Sequence, residues 1–252
     1  MVSGKWLKLV KSLQVKKYRQ LHQSFLVEGA KSVLELMDSA YAIQAVFATE
    51  TFLRQHIRTR PGISFEYHAA TEEELARMGS FQTNNAAVAV AATLPNAPLQ
   101  AGPAGYALAL DGIQDPGNVG TILRIADWYG ITKVICSEDT ADVYNPKVIS
   151  ASMGSFTRVR TYYCDLPGYL RTHRGTPCLG AFLAGGDVHR FAFPPAGILV
   201  MGNESKGIRP EVEPLITHKV HIPRYGGAES LNVGIATAVI LDNVRRVRKL
   251  EG

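Results

Sequence analysis

Two features of the sequence predict an α/β protein built as two domains. Short apolar strand candidates alternate with helical segments along most of the 252 residues, the pattern of a mainly parallel sheet covered by helices. One stretch breaks the alternation. Residues 92–105, Ala-Thr-Leu-Pro-Asn-Ala-Pro-Leu-Gln-Ala-Gly-Pro-Ala-Gly, are dominated by Ala, Pro and Gly and carry no charge. Apolar periodicity resumes at Tyr106, so this stretch reads as a linker between a domain at 1–91 and a larger one at 106–252.

In the first domain residues 25–27 read as a short strand, followed by a helix holding Val33, Leu34 and Leu36. Residues 45–48 read as a strand, and Thr51 as the cap of a helix reaching His56. Apolar residues at 63–67 predict a third strand. Thr71 and Glu74 have capping-box spacing for a helix ending near Met78, and residues 86–91 close the domain as a strand. After the linker, residues 106–110, 133–136, 158–163, 178–182, 198–201 and 219–222 are compact apolar strand candidates, most of them separated by helical segments. Ligands of such sheets bind in loops beyond the carboxyl ends of the strands. The loops after Leu110, Met201 and Ile222 are therefore the places to look.

Composition limits the function classes. Hydrophobic residues at 46% and charged residues at 19% allow a real core and argue against extended disorder. No apolar run approaches the roughly 18–20 residues that span a bilayer. The N-terminal lysines are followed by no sustained apolar segment, so no secretory signal is expected. Cys136, Cys164 and Cys178 form no CxxC pair and suit a reducing cytoplasm as small core residues. The net charge of +5 is concentrated at the N-terminus: Lys5, Lys8, Lys11, Lys16, Lys17, Arg19 and Lys31 face only Glu28. A basic face on an otherwise balanced chain suggests a polyanionic partner. A solvated helix face is the plain structural alternative. Arg245, Arg246, Arg248 and Lys249 near the C-terminus read as complements to a helix dipole.

The first loop is Asp111-Gly-Ile-Gln-Asp-Pro-Gly-Asn118-Val-Gly-Thr-Ile-Leu-Arg124. Pro116, Gly117 and Gly120 set a tight path, Asn118 is placed to cap the next helix, and Arg124 lies near its start. In the second, Met201-Gly202-Asn203-Glu204-Ser205-Lys206-Gly207, a buried strand runs into a glycine-flanked acidic turn. It lacks the signatures of a Walker loop and of a dinucleotide fingerprint. The third is Ile222-Pro-Arg-Tyr-Gly-Gly-Ala-Glu-Ser230-Leu231-Asn232-Val. Ser230 has the character of an ordinary N-cap there, whereas Asn232, a poor helix former, needs a hydrogen-bonding task.

Asn118-Val-Gly with Arg124, then Gly202-Asn-Glu204, then Ser230-Leu-Asn232-Val resemble, in order, the three motifs of the SpoU/TrmH branch of SPOUT methyltransferases. The likeness covers roughly residues 106–250, with Arg224 and Gly234 as minor departures. The N-terminal domain resembles, more loosely, a ribosomal-protein-like (L30e-like) substrate-binding domain. The resemblance implies a deep trefoil knot in the C-terminal sheet, an obligate homodimer, and S-adenosylmethionine-dependent methylation of a ribose 2′-hydroxyl, with rRNA ahead of tRNA as substrate. It implies Arg124, Asn118, Glu204, Ser230 and Asn232 as catalytic residues. Leu183, Met201, Gly202, Asn203, Gly207, Ile222, Leu231 and Asn232 would hold the cofactor, and Lys8, Lys11, Lys16, Lys17, Arg19 and Lys31 the RNA. No metal and no membrane are implied: His218 and His221 point to opposite faces of a strand, and no GxSxG elbow supports a hydrolase. A non-catalytic RNA-binding protein of the same fold, acting in ribosome assembly, is the alternative.

Overall fold

The computed structural model describes residues 2–102 and 105–250, apart from the side chains of 247–250. The chain divides into two compact units, Met1–Pro95 with Asp142–Thr157, and Asn96–Ala141 with Arg158–Gly252. No helix among the described residues is long and apolar enough to cross a membrane.

The first unit opens with α1 (Gly4–Ser12) and α2 (Lys16–His22). It continues through β1 (Ser24–Glu28), α3 (Ala30–Met37), β2 (Ile43–Ala48), α4 (Glu50–Phe52), β3 (Glu66–Ala69), α5 (Glu72–Met78) and β4 (Ala87–Ala92). Its sheet has the order β1-β4-β2-β3, with β4 antiparallel to both neighbours and β3 parallel to β2. The capping box of α5 forms as its spacing predicts: the Glu74 amide donates to Thr71 Oγ1 at 3.2 Å, and the Thr71 amide donates to Glu74 Oε2 at 3.0 Å. Helix α4 is capped by Thr49 rather than Thr51, because Thr49 has the extended backbone from which a hydroxyl reaches the Phe52 amide. The third strand begins at Glu66, where pairing with Ala45 starts; Ile63 and Phe65 pack against the core without joining the ladder.

The second unit contains β5 (Gly105–Asp111), α6 (Pro116–Trp128) and β6 (Lys133–Ser137). After α7 (Pro146–Ser152), which belongs to the first unit, come β7 (Arg160–Cys164), α8 (Leu166–Thr172), β8 (Cys178–Asp187), β9 (Ala196–Gly202), β10 (His218–His221) and α9 (Val233–Leu250). The six strands run β10-β8-β9-β5-β6-β7, and every pairing is parallel. Leu110 pairs with Met201 and Asp111 with Gly202, so the carboxyl ends of β5 and β9 lie side by side. Strand β8 pairs with β9 only as far as Gly180; residues 181–185 leave the ladder before Gly186 and Asp187 pair with β10. Helices α6 and α9 pack together, and Arg245 Nε donates to the Tyr129 carbonyl at 2.8 Å, just past the end of α6. The side chains of Arg248 and Lys249 lie outside the described residues.

Part of the linker is a strap held by side chains. The Asn96 amide exchanges two 2.9 Å hydrogen bonds with the backbone of Tyr163, which covers part of the edge of β7. Tyr169 Oη accepts from the Ala101 amide and donates to the Leu99 carbonyl. The cysteines are core residues. Burial pushes the Cys178 thiol up to about 12, and burial with the charge of Asp165 pushes Cys164 up to about 11.

The core of the first unit is completed by residues from far along the chain. Ile149 on α7 and Phe156 join Phe25, Val27, Val46 and Leu36 in one buried cluster. Phe25 stands edge-on to Phe156 at 5.9 Å and tilted against Tyr144 at 4.6 Å. Truncating Phe156 to Ala removes the ring that seals this cluster. Urea denaturation should show a loss of about 3–5 kcal/mol; a loss below about 1 kcal/mol would mean that residues 142–157 are not part of that core.

Candidate active site

The loops after β5, β9 and β10 meet through one asparagine. Asp115 caps α6, accepting from the Asn118 amide at 2.8 Å, with Pro116 at the first helical position. Asn118 is therefore not the cap that its sequence position suggested. It lies in the first turn with its side chain free to bond outward. Its Oδ1 accepts from Asn232 Nδ2 at 2.8 Å, and its own Nδ2 donates to Glu204 Oε1 at 2.8 Å. The amide thereby joins all three predicted motifs.

Asn232 has the task expected of it, and it displaces Ser230 as the cap of the last helix. Its Oδ1 accepts from the Gly234 amide at 2.9 Å and the Ile235 amide at 3.3 Å. Ser230 is exposed and makes no hydrogen bond. The helix starts at Val233, three residues beyond it, which is too far for its hydroxyl to serve the first turn.

The loop after β9 is a closed hairpin. Asn203 and Gly207 exchange backbone hydrogen bonds of 3.0 and 2.9 Å, with Gly207 at φ +69°. A Cβ on Gly202 would lie 2.3 Å from the Gly207 carbonyl carbon and the Ile208 nitrogen, so this turn requires glycine. The Asn203 side chain fixes the loop twice: Nδ2 donates to the Gly112 carbonyl at 2.7 Å, and Oδ1 accepts from the Ser205 and Lys206 amides.

Two residues of the site, Asp111 and Arg209, are given no role by the sequence. Asp111, fully buried at the end of β5, accepts from the Arg209 amide at 2.8 Å and from Arg209 Nε at 2.5 Å. Burial alone would lower the Arg209 pKa; the hydrogen bond and charge of Asp111, with Asp139 and Glu211, outweigh it and raise it. The pair ties the far end of the second loop to the strand that carries the first. The available signal was Asp111 itself, a carboxylate ending an apolar strand, which has to be paired once buried.

Among the predicted cofactor residues, Met201 is buried beneath the loop and Ile222 is half-buried. Leu183, in the excursion of β8, is 83% exposed and Leu231 is 51% exposed. Arg124 projects to solvent from α6 and makes no ion pair or hydrogen bond. One turn further on the same face, Trp128 is 83% exposed.

In the first unit Lys5, Lys8 and Lys11 on α1, Lys16 and Lys17 on α2, and Lys31 on α3 are all exposed and form no ion pair. Arg19 does not belong with them. It is 3% exposed, with Nε and Nη2 on Asp142 at 3.1 and 2.7 Å and Nη1 on the Leu13 and Gln14 carbonyls. Its cation is consumed in holding α2, which removes it from any RNA surface.

Residues 105–242 match the SpoU rRNA Methylase family. The chain belongs to that family. Residues 5–89 match an MRM3-like substrate binding domain. The 23S rRNA (guanosine(2553)-2′-O)-methyltransferase RlmP of Bacillus subtilis is 28% identical over 239 residues, covering 93% of this chain and 94% of that protein. A solved TrmH-family structure from Porphyromonas gingivalis shares 39% identity over 98% of this chain and 99% of its own, with a TM-score of 0.85. The SpoU methyltransferase AviRb from Streptomyces viridochromogenes, solved in complex with AdoMet, superposes over the full length of both chains with a TM-score of 0.85 and 25% identity.

Within this SpoU-family domain the Gly202 turn gives the sharpest test. Gly202→Ala should unseat the Asn203–Gly207 hairpin and release Glu204. Calorimetry with S-adenosylmethionine should then show at least about tenfold weaker binding, as expected when a preorganised backbone site is lost. Unchanged affinity in the folded variant would remove this loop from the binding site.

Proposed function

We propose that the protein methylates a ribose 2′-hydroxyl of ribosomal RNA with S-adenosylmethionine as methyl donor. The observation that carries this reading is the hydrogen-bonded chain Asn232–Asn118–Glu204. It gathers three motif loops at the carboxyl edge of a parallel sheet, and the helix that carries Asn118 also carries the exposed and unpaired Arg124.

The residues present fit the donor. The hairpin at 202–207 closes on itself, with the backbone of Gly207 and Ile208 filling the place of a Cβ at Gly202, and the open space beside Gly207 lets a ligand approach the main chain closely. Leu183, Leu231 and Ile222 offer apolar surface for a purine, and Asn203 holds the loop rigid. When bound, S-adenosylmethionine supplies an electrophilic methyl group on a sulfonium. The protein must align the ribose oxygen with that methyl and ease departure of the hydroxyl proton. A guanidinium stays protonated in proteins, so Arg124 acts as a cation and not as a base. It binds the phosphate beside the target ribose and stabilises charge growing on the 2′-oxygen, while the proton leaves to phosphate or water. Asn118, Glu204 and Asn232 fix the positions of the three loops, and Ser230 remains unbonded for substrate.

A homodimer completes this reading. Trp128, Leu183, Tyr225, Leu231 and Ile235 are large apolar side chains left exposed in the second unit, and Trp128 shares its face of α6 with Arg124. The chain after β10, an edge strand, returns across β8 and β9 to reach Asn118, a crossing that accords with the trefoil knot of the wider SPOUT group. The lysines of α1, α2 and α3 supply phosphate contacts, and a cytoplasmic site of action suits three unpaired thiols.

The test is transfer of labelled methyl from S-adenosylmethionine to ribosomal RNA lacking the modification, comparing wild type with Arg124→Ala. Wild type should place alkali-resistant label at one nucleotide. Arg124→Ala should lose about 10²–10³ in turnover with unchanged donor affinity. Near-normal turnover in the variant would take Arg124 out of the chemistry. No transfer by a folded wild type that binds RNA would favour the non-catalytic RNA-binding role.

A further inference from the structure

Helix α2 is a short element held in place by unusual means. Seven residues are too few for a helix to persist in water on its own, and every residue of α2 except Arg19 is exposed. It is pinned from beneath: Arg19 grips Asp142 through two nitrogens and the carbonyls of Leu13 and Gln14 through a third. Its end is fixed by Gln23 in the left-handed region at φ 48°, which is uncommon for a residue with a Cβ. Such anchoring holds outward a face on which Tyr18 and Leu21, together with Val15 just before the helix, are 39%, 67% and 52% exposed. The rings of Tyr18 and His22, one turn apart, lie nearly parallel at 16°. Lys16 and Lys17 border that face, no acidic residue lies in the helix, and neither lysine is paired.

We infer that α2 is a stacking platform for an unpaired base of the RNA substrate, so that the first unit selects a single-stranded loop rather than a helix. This rests on the proposed RNA-modifying function and names the class of RNA that it takes. Flat rings flanked by unpaired cations match a nucleotide splayed out of its stack: the ring takes the base and the lysines take the flanking phosphates. A-form duplex offers no free base face and would engage only the lysines. Tyr18 makes the principal contact, His22 extends the planar surface, and Leu21 covers the edge of the base.

The experiment uses the full chain with two fluorescently labelled synthetic RNAs, a hairpin with a seven-nucleotide loop and a blunt duplex of equal length, read by anisotropy. Tyr18→Ala should weaken hairpin binding about tenfold and leave duplex binding unchanged. Tyr18→Phe should keep wild-type affinity, because stacking needs the ring and not the hydroxyl. Lys16→Ala with Lys17→Ala should weaken both RNAs and flatten the salt dependence, which Tyr18→Ala should not do. Equal hairpin affinity for wild type and Tyr18→Ala would overturn the inference, as would equal losses on hairpin and duplex. Wild-type binding to neither RNA would overturn it as well. A drop in mass of the Tyr18→Ala protein by sedimentation would assign the face to a second copy of the chain. Loss of methyl transfer is read in a separate assay on ribosomal RNA, so failure of the function and failure of the platform are distinguishable.

Discussion

The side-chain amide of Asn118 is the constraint on which the active edge depends. An amide offers an acceptor and a donor at once, and here each is spent on a different loop. The direction of the chain is fixed from both ends. An ionised Glu204 can only accept, so Nδ2 of Asn118 must face it and Oδ1 must face Asn232. That in turn requires Nδ2 of Asn232 to donate, leaving its Oδ1 for the amides of α9, which can only donate. A carboxylate at one end and a helix N-terminus at the other therefore dictate both amide orientations. Asn118 can serve in this way only because Asp115 has already taken the capping role three residues earlier.

Sheet order explains why the relay has to exist. β5 and β9 are neighbours, so their loops emerge side by side by register alone. β10 lies at the sheet edge, with β8 and β9 between it and β5. At about 4.8 Å per strand, its loop must come back roughly 14 Å to meet Asn118. Residues 222–232 make that return with little secondary structure of their own, and a flexible return would scatter the third motif. Asn232 ends it twice over, as the cap of α9 and as the donor to Asn118. The Asp111–Arg209 pair does the same for the second loop, holding the chain beyond the hairpin to the end of β5.

Much of this was legible where the physics is local. The Thr71–Glu74 capping box, the strand at β9 and the glycine turn after it follow from spacing within a few residues. The three motif loops were recognised as such, and the structure joins them. Misreadings came where the deciding partner is remote. Arg19 looks like one more cation among the N-terminal lysines, and only Asp142, 123 positions away, turns it inward. Phe156 gives no local sign that it completes the first unit. Ser230 and Asn232 are equally good caps by residue preference, and Asn232 takes the role with its side chain also held by Asn118. Similarly, the apolar spacing of Ile63 and Phe65 suggested a strand, although both bury against the core outside the ladder.

Arg124 keeps an available charge for a related reason. Each of the principal carboxylates of the first two loops is already engaged. Asp111 is held by Arg209, Asp115 by the Asn118 amide, and Glu204 by the Asn118 side chain. Asp139, beyond β6, accepts from Ser137 Oγ at 2.6 Å and lies 3.6 Å from Arg209. A guanidinium in water loses little by remaining unpaired, because the gain from an exposed ion pair is small. In the proposed role its attraction for a phosphate would grow as water is displaced between them, since the local dielectric falls. The buried Asp111 and the exposed acids of these loops are thus matched within the protein, and the one exposed cation of α6 is left without a partner among the described residues.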